Sequence, residues 1–183
     1  MADFPTLIAS HRGGAFLWPE NSLAAFRATA GLRLEQAECD VHVTADGDIV
    51  VIHDATLDRT TDGRGPVVLQ STLAVTRSRI RGCGDERVPL LSDMLAAFHG
   101  TSIAPRIEIK SDAQGRPYPG VVTKVLDGLD QAGMRKDAWI IAFDAGTVAE
   151  TAAAGGVAGV AWLLEGTTWQ SLGVRGVIAV ARD

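Results

Sequence analysis

From Ala37 to Thr44 the chain alternates two kinds of side chain. Glu38, Asp40 and His42 fall on one face of an extended segment, and Cys39, Val41 and Val43 fall on the other. Asp46-Gly47 then reads as a hairpin turn, with Asp48 to His53 as the return strand. Ile107-Glu108-Ile109-Lys110 repeats the alternation of charge and apolar bulk, and a solvated surface would not need its isoleucines. The two segments are therefore expected to share one pocket.

The rest of the chain supplies a frame for such strands. Leu7-Ile8-Ala9-Ser10 reads as a buried strand feeding the tight turn His11-Arg12-Gly13-Gly14, which puts His11 at a strand's C-terminal end. Asn21-Ser22 offers a helix cap, and Leu23, Phe26 and Ala30 recur at helical spacing before Gly31. Residues 55–90 carry a run of threonine, glycine and proline and few long apolar stretches, so they read as an irregular excursion over the site. From Ser92 a regular rhythm predicts helix 92–99, strand 103–110, helix 118–133, strand 137–142, helix 144–154 and strand 157–164, with a further strand at 176–181. Strands alternating with helices imply a parallel sheet with helical crossovers.

Composition narrows the function classes. With 183 residues, 46% hydrophobic and 21% charged, the chain has material for one core and reads as a single domain. A net charge of −5 argues against a nucleic-acid partner, which needs a clustered basic face. Its two cysteines, Cys39 and Cys83, read as reduced thiols. Met1 to Pro5 shows no basic start or apolar run, and the apolar stretch from Gly155 to Leu164 is too short for a bilayer, so a cytoplasmic location without a membrane anchor is expected.

Ligands of parallel α/β sheets bind beyond the carboxyl ends of the strands, and here those ends carry His11, Asp40, His53 and Lys110. Glu38 and Asp40 lie two apart on one face and Glu108 lies two before Lys110, so three carboxylates can converge on one ion. Without a cation they would repel one another; an all-oxygen set suits Mg²⁺ or Ca²⁺. Arg12 and Lys110 offer charge for a phosphoryl group, and two histidines can take a proton from a nucleophile and return one to a leaving group. Phosphodiester cleavage is the reaction class these parts fit.

Other residues read more blandly. Glu20 and Asn21 could equally cap and charge the first helix. His42 approaches the Asp46-Gly47 turn and is expected to face solvent. His99 ends a helix and is given no catalytic role. Trp139 and Trp162 are expected in the core. Glu165 follows a strand, where a pocket-rim position is open to it, although an ordinary surface carboxylate is the simpler reading.

The motifs H-R-G-G at 11–14, W-P-E-N-S-L-A-A-F at 18–26, E-C-D-V-H-V-T-A-D-G-D-I-V-V-I-H-D at 38–54, L-D-R-T-T-D-G-R-G at 57–65 and I-E-I-K at 107–110 together resemble the glycerophosphodiester phosphodiesterase family. The resemblance implies a TIM (β/α)8 barrel with an insertion after the third strand, matching 55–90 as a substrate-shaping segment. It implies His11 and His53 as general acid and base, and Glu38, Asp40 and Glu108 as ligands of a divalent cation, with Glu20 a less certain neighbour. It implies Arg12 and Lys110 as phosphate contacts, and release of an alcohol and glycerol 3-phosphate after attack by water or the glycerol 2-hydroxyl. A lysophospholipase-D-like substrate is the alternative within the enzyme class, and a non-catalytic metal- and phosphate-binding fragment lies outside it.

A full barrel takes about 250 residues. Strand starts at 7, 37, 49, 103, 137, 157 and 176 number seven, so the C-terminal strand and helices are expected to be missing from residues 1–183, with a longer parent chain or homo-oligomerisation as the consequence.

Overall fold

The computed structural model describes residues 6–182, so the reading of Met1–Pro5 as free of a leader lies outside the described residues. The wall of the fold is a run of parallel strands: β1 (Ala9–Ser10), β2 (Gln36–Val43), β4 (Ala104–Ile109), β5 (Trp139–Ala142) and β6 (Gly159–Trp162), hydrogen-bonded in that order. β3 (Ile49–Val51) folds back on β2 as an antiparallel hairpin partner, pairing Val41 with Val51 and Val43 with Ile49. Helices α1 (Leu23–Ala30), α4 (Val121–Gln131) and α5 (Ala145–Ala154) follow β1, β4 and β5, and α3 (Leu91–Ala97) precedes β4.

Period-two alternation has the consequence expected of it. All eight residues of β2 are buried, so both faces of this strand are covered. Its apolar face, Cys39, Val41 and Val43, joins Ile107 and Ile109 of β4 and Ile140 of β5 in one core with Phe26 of α1, Met94 and Leu95 of α3 and Val125 and Leu129 of α4. Phe26 and Phe98 meet edge-to-face with centroids 6.0 Å apart, the preferred arrangement of two ring quadrupoles. The polar face points inward. There the register sets Asp40 beside Glu108 and Glu38 beside Arg106. From its register position beside Glu38, Arg106 turns to donate to the Gln36 side-chain oxygen at 2.7 Å, and its guanidinium carbon lies 5.2 Å from the Trp139 ring centroid, which pairs that cation away from Glu38.

Helix ends follow local chemistry. The Ser22 hydroxyl accepts from the Ala25 amide and starts α1 where the sequence placed it, and an Asp144 carboxylate oxygen accepts from the Thr147 amide at 2.7 Å to start α5. Asn21 is not the cap: its φ of 55° turns it off the helix and toward β2.

Three expectations change. Residues 176–181 are not a strand but fall in and just beyond α6 (Gly166–Val180), a helix interrupted at Gly173, where φ 59° and ψ 178° break the helical path. The seven strand starts thus resolve into five parallel wall strands, one antiparallel return strand and a helix among the described residues. Residues 55–90 are more ordered than an irregular excursion: α2 (Thr72–Arg77) and a turn at Val67–Leu69 pack into a second small core, where Leu57, Val67, Val75 and Val88 join Val50 and Ile52. Trp139 and Trp162 are half-buried and not central, because β6 is half-exposed along its whole length and the Trp162 indole N–H reaches out to the Phe143 carbonyl at 3.0 Å. Among the described residues no helix is long and apolar enough to cross a membrane.

Candidate active site

The strand ends bring Glu38, Asp40 and Glu108 together. One carboxylate oxygen from each lies within 4.8 Å of the others, and all three residues are buried. The turn after β1 supports them: the Arg12 amide donates to Glu38 Oε2 at 2.6 Å, while the Arg12 guanidinium lies 3.4 Å from Asp40 Oδ2 and 3.2 Å from Glu20 Oε1. Arg12 takes a positive φ of 50° to do so, a conformation that non-glycine residues keep only where the surroundings impose it. Asn21 Nδ2 donates to Asp40 Oδ2 at 2.9 Å. Lys110 Nζ reaches Glu108 Oε1 at 2.6 Å and lies 3.3 Å from Asp40 Oδ1.

The charge balance at this cluster is uneven. Burial and the neighbouring Asp40 charge push Glu38 up to about 8, against the pull of the Arg12 amide. Glu38 Oε1 and Asp40 Oδ1 are buried and accept no hydrogen bond, Asp40 Oδ1 having only the Lys110 ammonium at 3.3 Å. Two such oxygens gathered with a third carboxylate suit coordination to a hard cation, and the all-oxygen donor set matches Mg²⁺ or Ca²⁺. The residues present therefore fit a divalent ion, which Glu38, Asp40 and Glu108 would hold.

Glu20 lies outside that triad. Its carboxylate is gripped by two guanidinium groups, Arg12 and Arg59, with Arg59 donating to Oε1 at 2.7 Å and Oε2 at 3.1 Å, and this pairing lowers its pKa. Arg59 also donates to both oxygens of Asp54, at 2.6 and 2.8 Å, and Asp54 Oδ1 lies 2.7 Å from His53 Nδ1. Sequence reasoning singled out neither Arg59 nor Asp54 as a site residue. Their signal was present in the I-H-D and L-D-R-T-T segments, but only the fold sets Arg59 against Glu20.

The two catalytic candidates are placed differently. His53 lines a cavity of about 550 Å³ together with Glu108, Lys110, Phe143, Leu163 and Glu165. Glu165 is thus on the cavity wall. His11 is exposed on the turn after β1, and its carbonyl accepts from the Gly14 and Ala15 amides at 2.8 and 3.1 Å. His42 overturns the expectation that it faces solvent: it is 1% exposed, with Nδ1 2.7 Å from the Tyr118 hydroxyl and Nε2 3.0 Å from the His53 carbonyl. β2 is still covered where it passes the hairpin, so its polar face remains interior as far as His42 and Thr44.

The model of the Glycerophosphoryl diester phosphodiesterase family matches residues 11–181. The chain belongs to this family. It is 34% identical over 145 residues, 76% of its length, to a glycerophosphodiester phosphodiesterase of Caldanaerobacter subterraneus subsp. tengcongensis, of which it covers 58%. A crystal structure from Agrobacterium tumefaciens, assigned as a glycerophosphoryl diester phosphodiesterase, superposes with a TM-score of 0.93 at 35% identity over 98% of this chain and 72% of that one. A second, a glycerophosphodiester phosphodiesterase from the same organism, gives 0.70 at 30% identity over 82% of this chain and 64% of that one. The family fold is a TIM-like α/β barrel, and the described residues form part of its wall. The chain spans about half the length of the curated relatives it matches.

Proposed function

We propose that this chain carries the chemistry of a metal-dependent glycerophosphodiester phosphodiesterase, releasing an alcohol and glycerol 3-phosphate by acid–base catalysis through His11 and His53. The observation that carries the reading is the buried triad Glu38, Asp40 and Glu108, two of whose carboxylate oxygens accept no hydrogen bond, beside a cavity lined by Lys110 and His53. The named activity of the Caldanaerobacter relative supports the same substrate class.

A divalent ion held by the triad would neutralise charge on the phosphoryl oxygens. Lys110 and Arg12 add fixed positive charge on either side of Asp40, suited to the non-bridging oxygens of a phosphodiester. One histidine accepts the proton of the attacking hydroxyl or water, and the other donates a proton to the departing alcohol oxygen, so the P–O bond breaks without releasing an alkoxide. Residues 55–90 would shape the substrate end of the site, because their Arg59 reaches the Glu20 and Asp54 carboxylates there. A small phosphodiester is the partner this site fits, with no role for nucleic acid. Two free thiols, Cys39 and Cys83, accord with a cytoplasmic place of action.

A lysophospholipase-D-like substrate is the second reading. It is favoured by Phe16 and Leu17, 101% and 71% exposed on the turn that follows His11 and Arg12, where they would meet an acyl chain. One assay separates the readings: phosphodiester turnover of a glycerophosphodiester and of a lysophospholipid, with and without chelator. The metal-dependent reading expects turnover lost in chelator and restored by Mg²⁺ or Ca²⁺, and a kcat lower by about 10²–10⁴-fold in His11→Ala and in His53→Ala. Full activity in excess chelator, or near-normal kcat in either folded variant, contradicts it.

A further inference from the structure

The role proposed above for His53 requires a particular nitrogen free to exchange a proton with substrate, and which nitrogen of a neutral imidazole is free is set by the hydrogen bond that the other makes. His53 Nδ1 is 2.7 Å from Asp54 Oδ1, a carboxylate supplied by the next residue in the chain. An adjacent side chain on an exposed loop would ordinarily rotate away. Asp54 does not have that freedom, because Arg59 donates Nε–H to its Oδ2 at 2.6 Å and Nη2–H to its Oδ1 at 2.8 Å, a fork matched to the plane of the carboxylate. The same guanidinium is held from its far side by Glu20, through Nη1 at 3.1 Å and Nη2 at 2.7 Å.

We infer that Arg59 is a positioning residue: by clamping Asp54 between itself and His53, it holds His53 as the Nδ1–H tautomer and leaves Nε2 as the proton-exchanging atom. The inference rests on the acid–base reading of His53 for its effect on turnover, and on geometry alone for its effect on the ring. Four groups from three places in the chain form the array: Glu20 before α1, His53 and Asp54 after β3, and Arg59 in the 55–90 segment. Each charge in it is paired. Arg59 holds the Asp54 carboxyl well below the usual carboxylate range, so Asp54 stays an acceptor and cannot present a proton to Nδ1. The Arg59 guanidinium is itself held more firmly charged by its two carboxylate partners.

A second contact fixes the backbone beneath the ring. His42 Nε2 lies 3.0 Å from the His53 carbonyl oxygen, which can only accept, so Nε2 carries the proton and Nδ1 is the acceptor for the Tyr118 hydroxyl at 2.7 Å. With the main chain of His53 tied from inside and its ring tied from the 55–90 side, the direction of Nε2 is determined by His42, Asp54 and Arg59, none of which lines the cavity that His53 borders. This gives the 55–90 segment a duty beyond shaping the substrate end: its arginine sets which nitrogen of His53 is available.

The test uses the complete chain and two readouts. Long-range ¹⁵N–¹H correlation spectra of the imidazoles, recorded on the metal-free protein above the histidine titration range, report the tautomer of His53, assigned by comparison with His53→Gln. The wild type is expected to show a protonated Nδ1 and an unprotonated Nε2. Arg59→Met should convert this to a mixture of tautomers, Arg59→Lys should retain part of the wild-type signature, and Asp54→Asn, whose amide can donate to Nδ1, should shift the proton to Nε2. Circular dichroism and melting curves establish that each variant is folded; Arg59 is half-exposed, so Arg59→Met is expected to fold.

In the metal-loaded protein, Arg59→Met should lower kcat by about 10–100-fold with little change in KM, the usual consequence of losing a group that orients a functional side chain. A wild-type Nε2–H tautomer, or an Arg59→Met protein with the wild-type tautomer, overturns the inference. If His53→Gln keeps wild-type kcat, the acid–base reading of His53 fails instead, and the tautomer of Arg59→Met still decides whether the clamp exists.

Discussion

Replacing His42 by leucine should destabilise the protein by about 1–3 kcal/mol, because the His53 carbonyl and the Tyr118 hydroxyl would both lose their partner in the interior. His42 also makes stability depend on pH. Burial lowers it from its ordinary 6.5 to about 4, so between those values the unfolded chain binds a proton on this ring and the native protein does not. Its contribution is whole above about 6.5 and declines as pH falls toward 4. Urea midpoints across that interval should fall more steeply for the wild type than for His42→Gln, and parallel curves would contradict this. At this scale the sequence was informative where charge alternates with apolar bulk: Glu38, Asp40, Glu108 and Lys110 were legible from period two alone. His42 was misjudged because proximity to a turn was weighed above the alternation that continues through it. Arg59 was hidden for another reason. Its partner Glu20 is 39 positions away, and nothing local marks that pair.

At the scale of elements, the turn between β1 and α1 is the most sensitive point. Gly13 has φ +71°, and a Cβ there would stand 2.9 Å from two carbons of the Phe26 ring and 3.1 Å from the Ala25 Cβ. Gly13→Ala therefore combines backbone strain with a clash against α1, and should cost about 1–3 kcal/mol. It should also move the Arg12 amide off Glu38, so divalent-cation affinity should fall in a variant that still melts cooperatively. Unchanged melting and affinity would show that the turn is not under constraint. Elements with caps or strict periodicity were legible: α1 begins after Ser22 and ends before Gly31 as its sequence implies. The segment 176–181 was not. Gly-Val-Ile-Ala-Val-Ala is short and wholly apolar, and a run of that length has no period to separate strand from helix. The 55–90 segment hid its small core because Leu57, Val67, Val75 and Val88 are spread singly among turn residues and meet only after folding.

At the scale of the whole molecule, β1 and β6 each have one hydrogen-bonded neighbour among the described residues, and apolar side chains lie exposed beside both. Leu7 and Ile8 are 56% and 57% exposed next to β1, and Val174 and Ile178 of α6 are 56% and 45% exposed after β6. Edges and apolar surfaces of this kind favour association. Residues 1–183 should therefore elute above monomer mass in light-scattering chromatography at tens of micromolar, and a monodisperse monomer would contradict this. The parallel α/β class was legible from alternating elements. The number of wall strands was not, since one return strand and one apolar helix each resemble a wall strand in sequence.

On the reading proposed above, the polar face of β2 and β4 is a divalent-cation site. Calorimetric titration of chelator-stripped protein with Mg²⁺ and with Ca²⁺ measures that binding. The structure predicts a single ion bound per chain, with binding abolished or strongly weakened in Asp40→Asn and Glu108→Gln and retained in Glu165→Gln, whose carboxylate lines the same cavity but lies outside the triad. Absence of binding by either metal, or equal binding by all three variants, would contradict the account.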